Sequence, residues 1–213
     1  MKSLKLLALI VGFIGIAAIA VENQKAAPHV EVSVKPLPDI TIGEASAPIT
    51  LIQYSAFSCS HCAEFHKDVL PKIEDKYVKT GEVRVILRDY PIDNPSLRAS
   101  QLAWCAGPLR YRDLFDTLLD KQRQWLTSND PVATLTVLAK SKGIDEEQFK
   151  KCLADGELMT QIIKQREEGR EKYKIDATPT LVINDKVINY ALTFEEFQAI
   201  VTPMLKGKTK NKS

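Results

Sequence analysis

Apolar positions in the first half of the chain follow two patterns in succession, one typical of a strand and one of a helix. The apolar run at residues 49–54 predicts a buried strand. Three- and four-residue spacing then predicts a helix over residues 60–80, carried by Phe65, Val69, Leu70 and Ile73. Pro71 lies inside this helix and predicts a kink or a break. A second strand is predicted at residues 82–90, so the two strands would form a parallel pair joined by a crossover helix.

The pattern between residues 95 and 174 is helical throughout. Successive helices are predicted at 96–106, at 111–125, from Pro131 to Gly143, from Asp145 onward and at 157–173. Asp130 before Pro131 is a capping residue followed by a first-turn proline. Asp145 with Gln148 three residues later resembles a capping box.

The strand pattern returns after these helices. Residues 180–183 and 186–190 predict two strands around an Asn184-Asp185 turn, and Thr193 with Glu196 begins a final helix. The order is therefore strand, loop and helix, strand, several helices, an antiparallel strand pair and a helix. This order predicts an α/β protein with a thioredoxin-like fold and an inserted helical domain.

The N-terminal residues have the pattern of an export signal. Lys2 and Lys5 precede an apolar run at residues 6–21, in which Ala18-Ile19-Ala20 offers a cleavage site. The alternative is an uncleaved anchor, although the run is short beside the roughly 20 residues of a membrane-spanning helix. In both cases the body of the protein would lie outside the cytoplasm, where disulfides form and persist.

The net charge of +2 is set by lysines at the two ends of the chain. Without the two lysines of the N-terminal segment and the four at residues 206–213, 23 basic residues face 27 acidic ones, a balance of about −4. The sequence has no basic stripe with interleaved aromatic residues, so we expect no nucleic-acid partner. The lysine-rich tail is expected to be solvated and disordered.

These patterns divide the chain into six segments. They are a signal peptide or anchor at 1–21, a linker or edge segment at 22–42, the first part of the thioredoxin-like domain at 43–94, the helical insertion at 95–174, the second part at 175–205 and the tail at 206–213. Within the second segment, residues 30–34 alternate and predict either an edge strand or part of a linker.

The candidate chemistry lies in Cys59-Ser60-His61-Cys62, between the first strand and its helix. The first N–H groups of a helix lack intrahelical partners, and the helix dipole is positive at this end. Both effects favour a thiolate on Cys59, and a lowered thiol pKa makes a cysteine reactive near neutral pH. His61 can add a donor or a positive charge.

Two other interpretations of the cysteine pair remain open. Cys59 and Cys62 could be half of a zinc site completed by His61 and His66, or they could form a purely structural disulfide. A closed zinc site usually pairs two ligand clusters, whereas Cys105 and Cys152 stand alone in the sequence. Redox chemistry is therefore the leading hypothesis.

Five stretches together resemble the DsbA family of periplasmic thiol–disulfide oxidoreductases, in the branch that includes BdbD-like proteins. They are Phe57-Ser58-Cys59-Ser60-His61-Cys62, Leu102-Ala103-Trp104-Cys105-Ala106, Leu114-Phe115, Phe149-Lys150-Lys151-Cys152-Leu153 and Ala177-Thr178-Pro179-Thr180. The resemblance spans roughly residues 39–204. The cysteine motif and the Thr-Pro-Thr motif are specific because they occur together and in this order.

The resemblance implies a role for each matching residue. Cys59 would be the attacked sulfur and Cys62 its partner, with His61 stabilising the reduced thiolate. Ser60 departs from the proline of the best-known members, so oxidising strength does not follow from the resemblance. Pro179 would be a cis-proline against the disulfide, and Thr178 would touch Cys59 and offer its backbone to a client.

The other two cysteines and the aromatic residues have several possible roles. Cys105 and Cys152 are each expected to point towards the helical core, where they could be free thiols. Export and the resemblance favour a structural disulfide between them instead. Phe57 could be a core residue or part of a client-binding surface.

The resemblance also implies the activity and the partners. The protein would donate its Cys59–Cys62 disulfide to reduced, unfolded exported clients and be reoxidised by a DsbB-like membrane protein. It would work as a periplasmic monomer, with no cofactor or metal beyond that disulfide. The alternatives are a reductase or isomerase of the same fold and a non-catalytic module with a metal or an inert disulfide.

Overall fold

A computed structural model describes residues 35–209. Within this range the strands are β1 Ile40–Ile42, β2 Ile49–Ser55, β3 Val83–Asp89, β4 Thr180–Ile183 and β5 Lys186–Ile188. The helices are α1 Ser60–Asp68, α2 Leu70–Ile73, α3 Asn94–Cys105, α4 Pro108–Asp120, α5 Gln122–Leu126, α6 Pro131–Ser141, α7 Glu146–Ala154, α8 Gly156–Tyr173 and α9 Phe194–Thr209. A π-helical segment, Glu74–Val78, continues α2.

The strands that the structure describes form one mixed sheet in the order β1-β3-β2-β4-β5. β2 and β3 are parallel, and α1, α2 and the π-helical segment connect them, which confirms the predicted crossover. β4 pairs antiparallel with β2 and with β5. The α/β class and the thioredoxin-like layout are therefore confirmed, with α3 to α8 forming the inserted helices.

The helix predicted over residues 60–80 is interrupted, as Pro71 indicated. α1 ends at Asp68, the buried Val69 separates it from α2, and Pro71 lies in the first turn of α2. Proline is tolerated in a first turn because the N–H groups there have no intrahelical partner. Further inside a helix, Pro71 would have no N–H to donate to the carbonyl oxygen of Lys67 and its ring would clash with that carbonyl, so the helix breaks before the proline.

The single helix predicted over residues 111–125 is wrong, because Lys121 separates α4 from α5. The indole N–H of Trp125 donates to the carbonyl oxygen of Leu118 at 2.8 Å, an acceptor that an unbroken helix would offer to the N–H of Gln122. The break leaves both Gln122 and Trp125 buried.

The predicted caps are present where the inserted helices begin. Asp130 accepts a hydrogen bond from the N–H of Ala133, and Asp145 accepts one from the N–H of Gln148. Asp93 and Asp155 cap α3 and α8 in the same way. Each aspartate satisfies a donor that the helix itself cannot pair.

Helix α8 covers the face of the sheet opposite α1 and makes a close contact with it. The ring of Tyr54 lies so near Gly169 that a Cβ atom added to this glycine would be 2.6 Å from the Cε1 atom of the ring. Tyr54 is 1% exposed and also contacts the rings of Tyr90 and Tyr173. A glycine at 169 is therefore required for this approach of helix to sheet.

The two ends of the described range differ from the predictions. An edge strand is present in the 22–42 segment, but it is β1, which pairs antiparallel with β3. The strand considered at residues 30–34 and the segment 1–21 lie outside the described residues. The expected disordered tail is wrong for residues 206–209, because α9 continues to Thr209. None of the helices in residues 35–209 is long and apolar enough to cross a membrane.

Candidate active site

Cys59 and Cys62 lie at the N-terminal end of α1, directly after the loop that follows β2. Cys59 is the N-cap residue of the helix and is partly exposed, whereas Cys62 in the first turn is 0% exposed. The two thiols are unbridged in this structure. One sulfur is therefore accessible from solution and the other is enclosed by protein.

The surroundings shift the two thiol pKa values in opposite directions. A hydrogen bond from the Cys62 thiol, together with hydrogen bonds from the Thr178 side chain and from the N–H groups of Cys62 and His61, lowers the pKa of Cys59 to about 5. Burial raises the pKa of Cys62 well above its ordinary value, and the neighbouring Cys59 raises it further. Cys59 is therefore the thiolate and the better leaving group near neutral pH.

The loop before β4 lies against Cys59. The Cys59 Sγ atom lies 3.2 Å from the carbonyl oxygen of Thr178, and the Thr178–Pro179 peptide bond is cis. Pro179 is buried and Thr178 is partly exposed. The structure thus brings together the two motifs that lie far apart in the sequence.

His61 and Ser60 are both exposed in the first turn of α1. The Nδ1 atom of His61 is 3.0 Å from the Oε2 atom of Glu64, and this hydrogen bond is the main reason why the histidine pKa is raised. Cys59 contributes least to that shift. His61 therefore acts on Cys59 through its backbone N–H, while its ring is directed to Glu64.

The histidines considered as zinc ligands have other neighbours. His66 is buried, and its Nε2 atom faces the carboxylate of Asp116 at 3.6 Å. Burial lowers the pKa of His66. Among residues 35–209, no group of three or more His, Cys, Asp or Glu side chains is arranged to hold a metal ion.

The remaining cysteines join two inserted helices. Cys105 at the end of α3 and Cys152 in α7 form a disulfide with a Cα–Cα distance of 5.7 Å. Cys105 packs against the hydrophobic core, as expected, and both cysteines are half-buried. The shallow position follows from their places near the ends of α3 and α7.

Phe57 belongs to the core and not to a client-binding surface. Its side chain is 1% exposed and packs edge-on against the ring of Phe115 at a centroid distance of 5.3 Å. The possibility that Phe57 forms a surface for clients is therefore wrong. Its ring instead joins the loop between β2 and α1, residues 56–59 (the redox loop), to α4.

Two residues of the insertion that the sequence analysis did not identify contact the loop before Cys59. The Ser96 hydroxyl accepts a hydrogen bond from the N–H of Phe57 at 2.9 Å. The side-chain amide of Gln122 donates to the carbonyl oxygens of Phe57 and Cys59, each at 2.8 Å. The only sequence signal was the three-residue spacing of Gln122 and Trp125, which is compatible with a shared buried face.

A buried carboxylate ties the insertion to the sheet near the site. Asp89, at the end of β3, is 1% exposed and accepts hydrogen bonds from Ser100 and from the indole N–H of Trp104, each at 2.7 Å. Burial raises the pKa of Asp89, and both hydrogen bonds oppose that shift. Both donors lie on α3, so this helix is held against the sheet by polar contacts as well as by packing.

The fold and the site together define a class of protein. A mixed sheet presents a Cys-x-x-Cys pair at the start of the helix after its central strand, and a proline loop lies against the outer sulfur. This arrangement is that of a thioredoxin-fold protein with a two-cysteine site, enlarged here by inserted helices.

Comparisons with known proteins agree with this class. The sequence model of the Thioredoxin family matches residues 35–202. Disulfide bond formation protein D of Bacillus subtilis is 29% identical over 176 residues, which cover 78% of this chain and 77% of that protein. A relative in Rickettsia bellii is 29% identical over 156 residues, which cover 72% of this chain and 60% of its own length. The chain belongs to the Thioredoxin family of that model and is one of its DsbA-like members.

Solved structures show the same likeness. The crystal structure of Wolbachia pipientis alpha-DsbA1 has a TM-score of 0.75 at 26% identity and covers 84% of this chain and 96% of its own. The structure of oxidised BdbD from Bacillus subtilis has a TM-score of 0.68 at 26% identity, with coverages of 79% and 93%. The chain spans 60% to 64% of the length of three Rickettsia relatives.

Proposed function

We propose that this protein is a protein-disulfide oxidoreductase that donates the Cys59–Cys62 disulfide to reduced client proteins. The observation that carries the proposal is the asymmetry of the pair. Cys59 is accessible with a pKa of about 5, and Cys62 is enclosed with a raised pKa. Stabilising the thiolate of the reduced form makes the disulfide a stronger oxidant.

The exchange takes place in two steps. A client thiolate attacks the Cys59 sulfur of the disulfide, forms a mixed disulfide and expels Cys62, which takes up a proton because its pKa is high. A second client thiolate then attacks the client sulfur of the mixed disulfide and expels Cys59 as a thiolate. The client loses two electrons and gains a disulfide, and the protein ends as the dithiol.

The proposed setting of the reaction is a compartment outside the cytoplasm, where disulfides form and persist. The proposed clients are reduced, unfolded exported proteins, and the export-signal pattern in the sequence of residues 1–21 supports a periplasmic reaction. A DsbB-like membrane protein restores the disulfide after each cycle. The partly exposed Thr178 beside Cys59 offers its backbone to an extended client segment.

The first test measures the equilibrium of the Cys59–Cys62 pair with glutathione, using Cys105→Ala/Cys152→Ala protein so that one disulfide is counted. A reduction potential well above that of thioredoxin, about −270 mV, is the expected result. A value near that of thioredoxin would replace the donor function by a reductase function. A pair that does not exchange at all would identify a structural bridge.

The second test follows a client directly. Oxidised protein is mixed with reduced, unfolded ribonuclease A, and the loss of client thiols is counted. We expect stoichiometric oxidation by the parent protein and none by Cys59→Ser. Reduced Cys62→Ser, mixed with a client whose thiol carries a 2-nitro-5-thiobenzoate disulfide, should form a client–Cys59 disulfide and release the thiobenzoate, whereas reduced Cys59→Ser, with only the buried Cys62, should not.

A further inference from the structure

The side chain of Gln122 lies against the redox loop and contacts its backbone. It is 9% exposed and lies at the first position of α5. Its Nε2 atom is 2.8 Å from both the Phe57 and the Cys59 carbonyl oxygens, so both amide hydrogens are used. A buried amide with both donors committed to one loop holds that loop in a single orientation.

The Cys59 carbonyl oxygen accepts other hydrogen bonds besides that from Gln122. It also accepts the N–H of Cys62 at 3.1 Å and the N–H of Ala63 at 3.2 Å, which are the first hydrogen bonds of α1. Gln122 therefore contacts the peptide group that begins the helix. The direction of that peptide determines how the first-turn N–H groups and the Cys62 thiol face the Cys59 sulfur.

We propose that Gln122 is a positioning residue for disulfide exchange, whose amide fixes the loop so that the start of α1 stabilises the Cys59 thiolate. The inference rests on the proposed exchange at Cys59 and Cys62. It assigns to the helical insertion a part in the chemistry, because α5 supplies the amide. The side chain acts through the loop and does not touch either sulfur.

The residue type fits this role. A glutamate at position 122 would place acceptors where two carbonyl oxygens need donors, and a leucine would leave both carbonyls without this donor. An asparagine keeps the amide but withdraws it by one methylene. Gln124 lies in the same helix and is exposed, so it provides a matched control.

The experiment compares Gln122→Leu with Gln124→Leu in the reduced protein by titrating the thiolate absorbance at 240 nm. We expect Gln122→Leu to raise the midpoint by about one pH unit and to lower the equilibrium constant for oxidising glutathione by about tenfold. Gln124→Leu should change neither quantity. The balanced reaction is protein disulfide plus two glutathione thiols giving protein dithiol plus glutathione disulfide.

The outcomes separate this inference from the proposed function. If the parent protein exchanges with glutathione and folded Gln122→Leu has an unchanged midpoint and equilibrium constant, Gln122 has no positioning role and the proposed function stands. If the parent protein does not exchange with glutathione, the proposed function is refuted, and the inference that rests on it is refuted as well. Should Gln122→Leu not fold, Gln122→Asn is measured in the same way, and an unchanged midpoint there would equally overturn the inference.

Discussion

The stability of the reduced protein should depend on pH through Cys59. Its pKa is about 5 in the folded state against 9.0 for an unperturbed thiol, so the folded state binds fewer protons between these values. The contribution is complete above pH 9 and is lost as the pH falls through 5. From pH 5 to pH 7 the change amounts to at most about 2.7 kcal/mol, at 1.36 kcal/mol per pH unit. Cys59 is partly exposed, and solvent screening reduces this figure to roughly 1–2 kcal/mol.

Urea unfolding of the reduced and the oxidised protein between pH 4 and pH 8 measures this effect. The oxidised protein has no titrating thiol at Cys59, so the difference between the two unfolding free energies isolates the contribution. We expect the reduced form to gain stability relative to the oxidised form by roughly 1–2 kcal/mol between pH 5 and pH 7.

Cys59→Ser is the control, because it keeps the buried Cys62, whose raised pKa leaves it protonated over this range. The pH dependence attributed to Cys59 should be absent from this variant. A reduced parent protein that follows the same pH dependence as Cys59→Ser would refute the electrostatic argument, and so would a thiolate midpoint near 9.

Two further predictions concern packing and a buried polar group, and both are measured by urea unfolding. Gly169→Ala should destabilise the protein by about 1–3 kcal/mol because its Cβ atom would meet the Tyr54 ring. Gly156→Ala is the control in the same helix, and it should be neutral or slightly stabilising because the space around Gly156 is open. Equal effects of the two substitutions would contradict the close contact. Trp104→Phe should cost about 1–3 kcal/mol because it removes a donor from the buried Asp89 carboxylate, and an unchanged stability would show that the hydrogen bond contributes nothing.

Local signals predicted much of the fold and the chemical centre of the site. The strand before Cys59, the break near Pro71 and the caps at Asp130 and Asp145 depend on residues close together in sequence. The position of Cys59 at a helix N-terminus follows from the same local pattern. These features were therefore accessible without knowledge of tertiary contacts.

Two features were missed, one that depends on a side-chain contact seven residues apart and one that joins distant parts of the chain. The break at Lys121 accompanies a hydrogen bond between Trp125 and Leu118 that replaces a helical one, and no capping or glycine signal marks it. The contact of Gln122 with Cys59 joins residues 63 positions apart. A glutamine inside a helical pattern gives no sign of which loop it will meet.

The strand order of the sheet has a consequence for how the site forms during folding. β2 carries the redox loop, and it pairs with β3 soon after in the sequence but with β4 only after the whole insertion has intervened. Thr178, which precedes β4, lies 119 residues beyond Cys59 along the chain. Until β4 arrives, β2 has an open edge, and pairings between such distant segments are slow to form. Because Thr178 helps to lower the pKa of Cys59, we expect an incompletely folded chain to carry a less activated thiol until β4 has paired with β2.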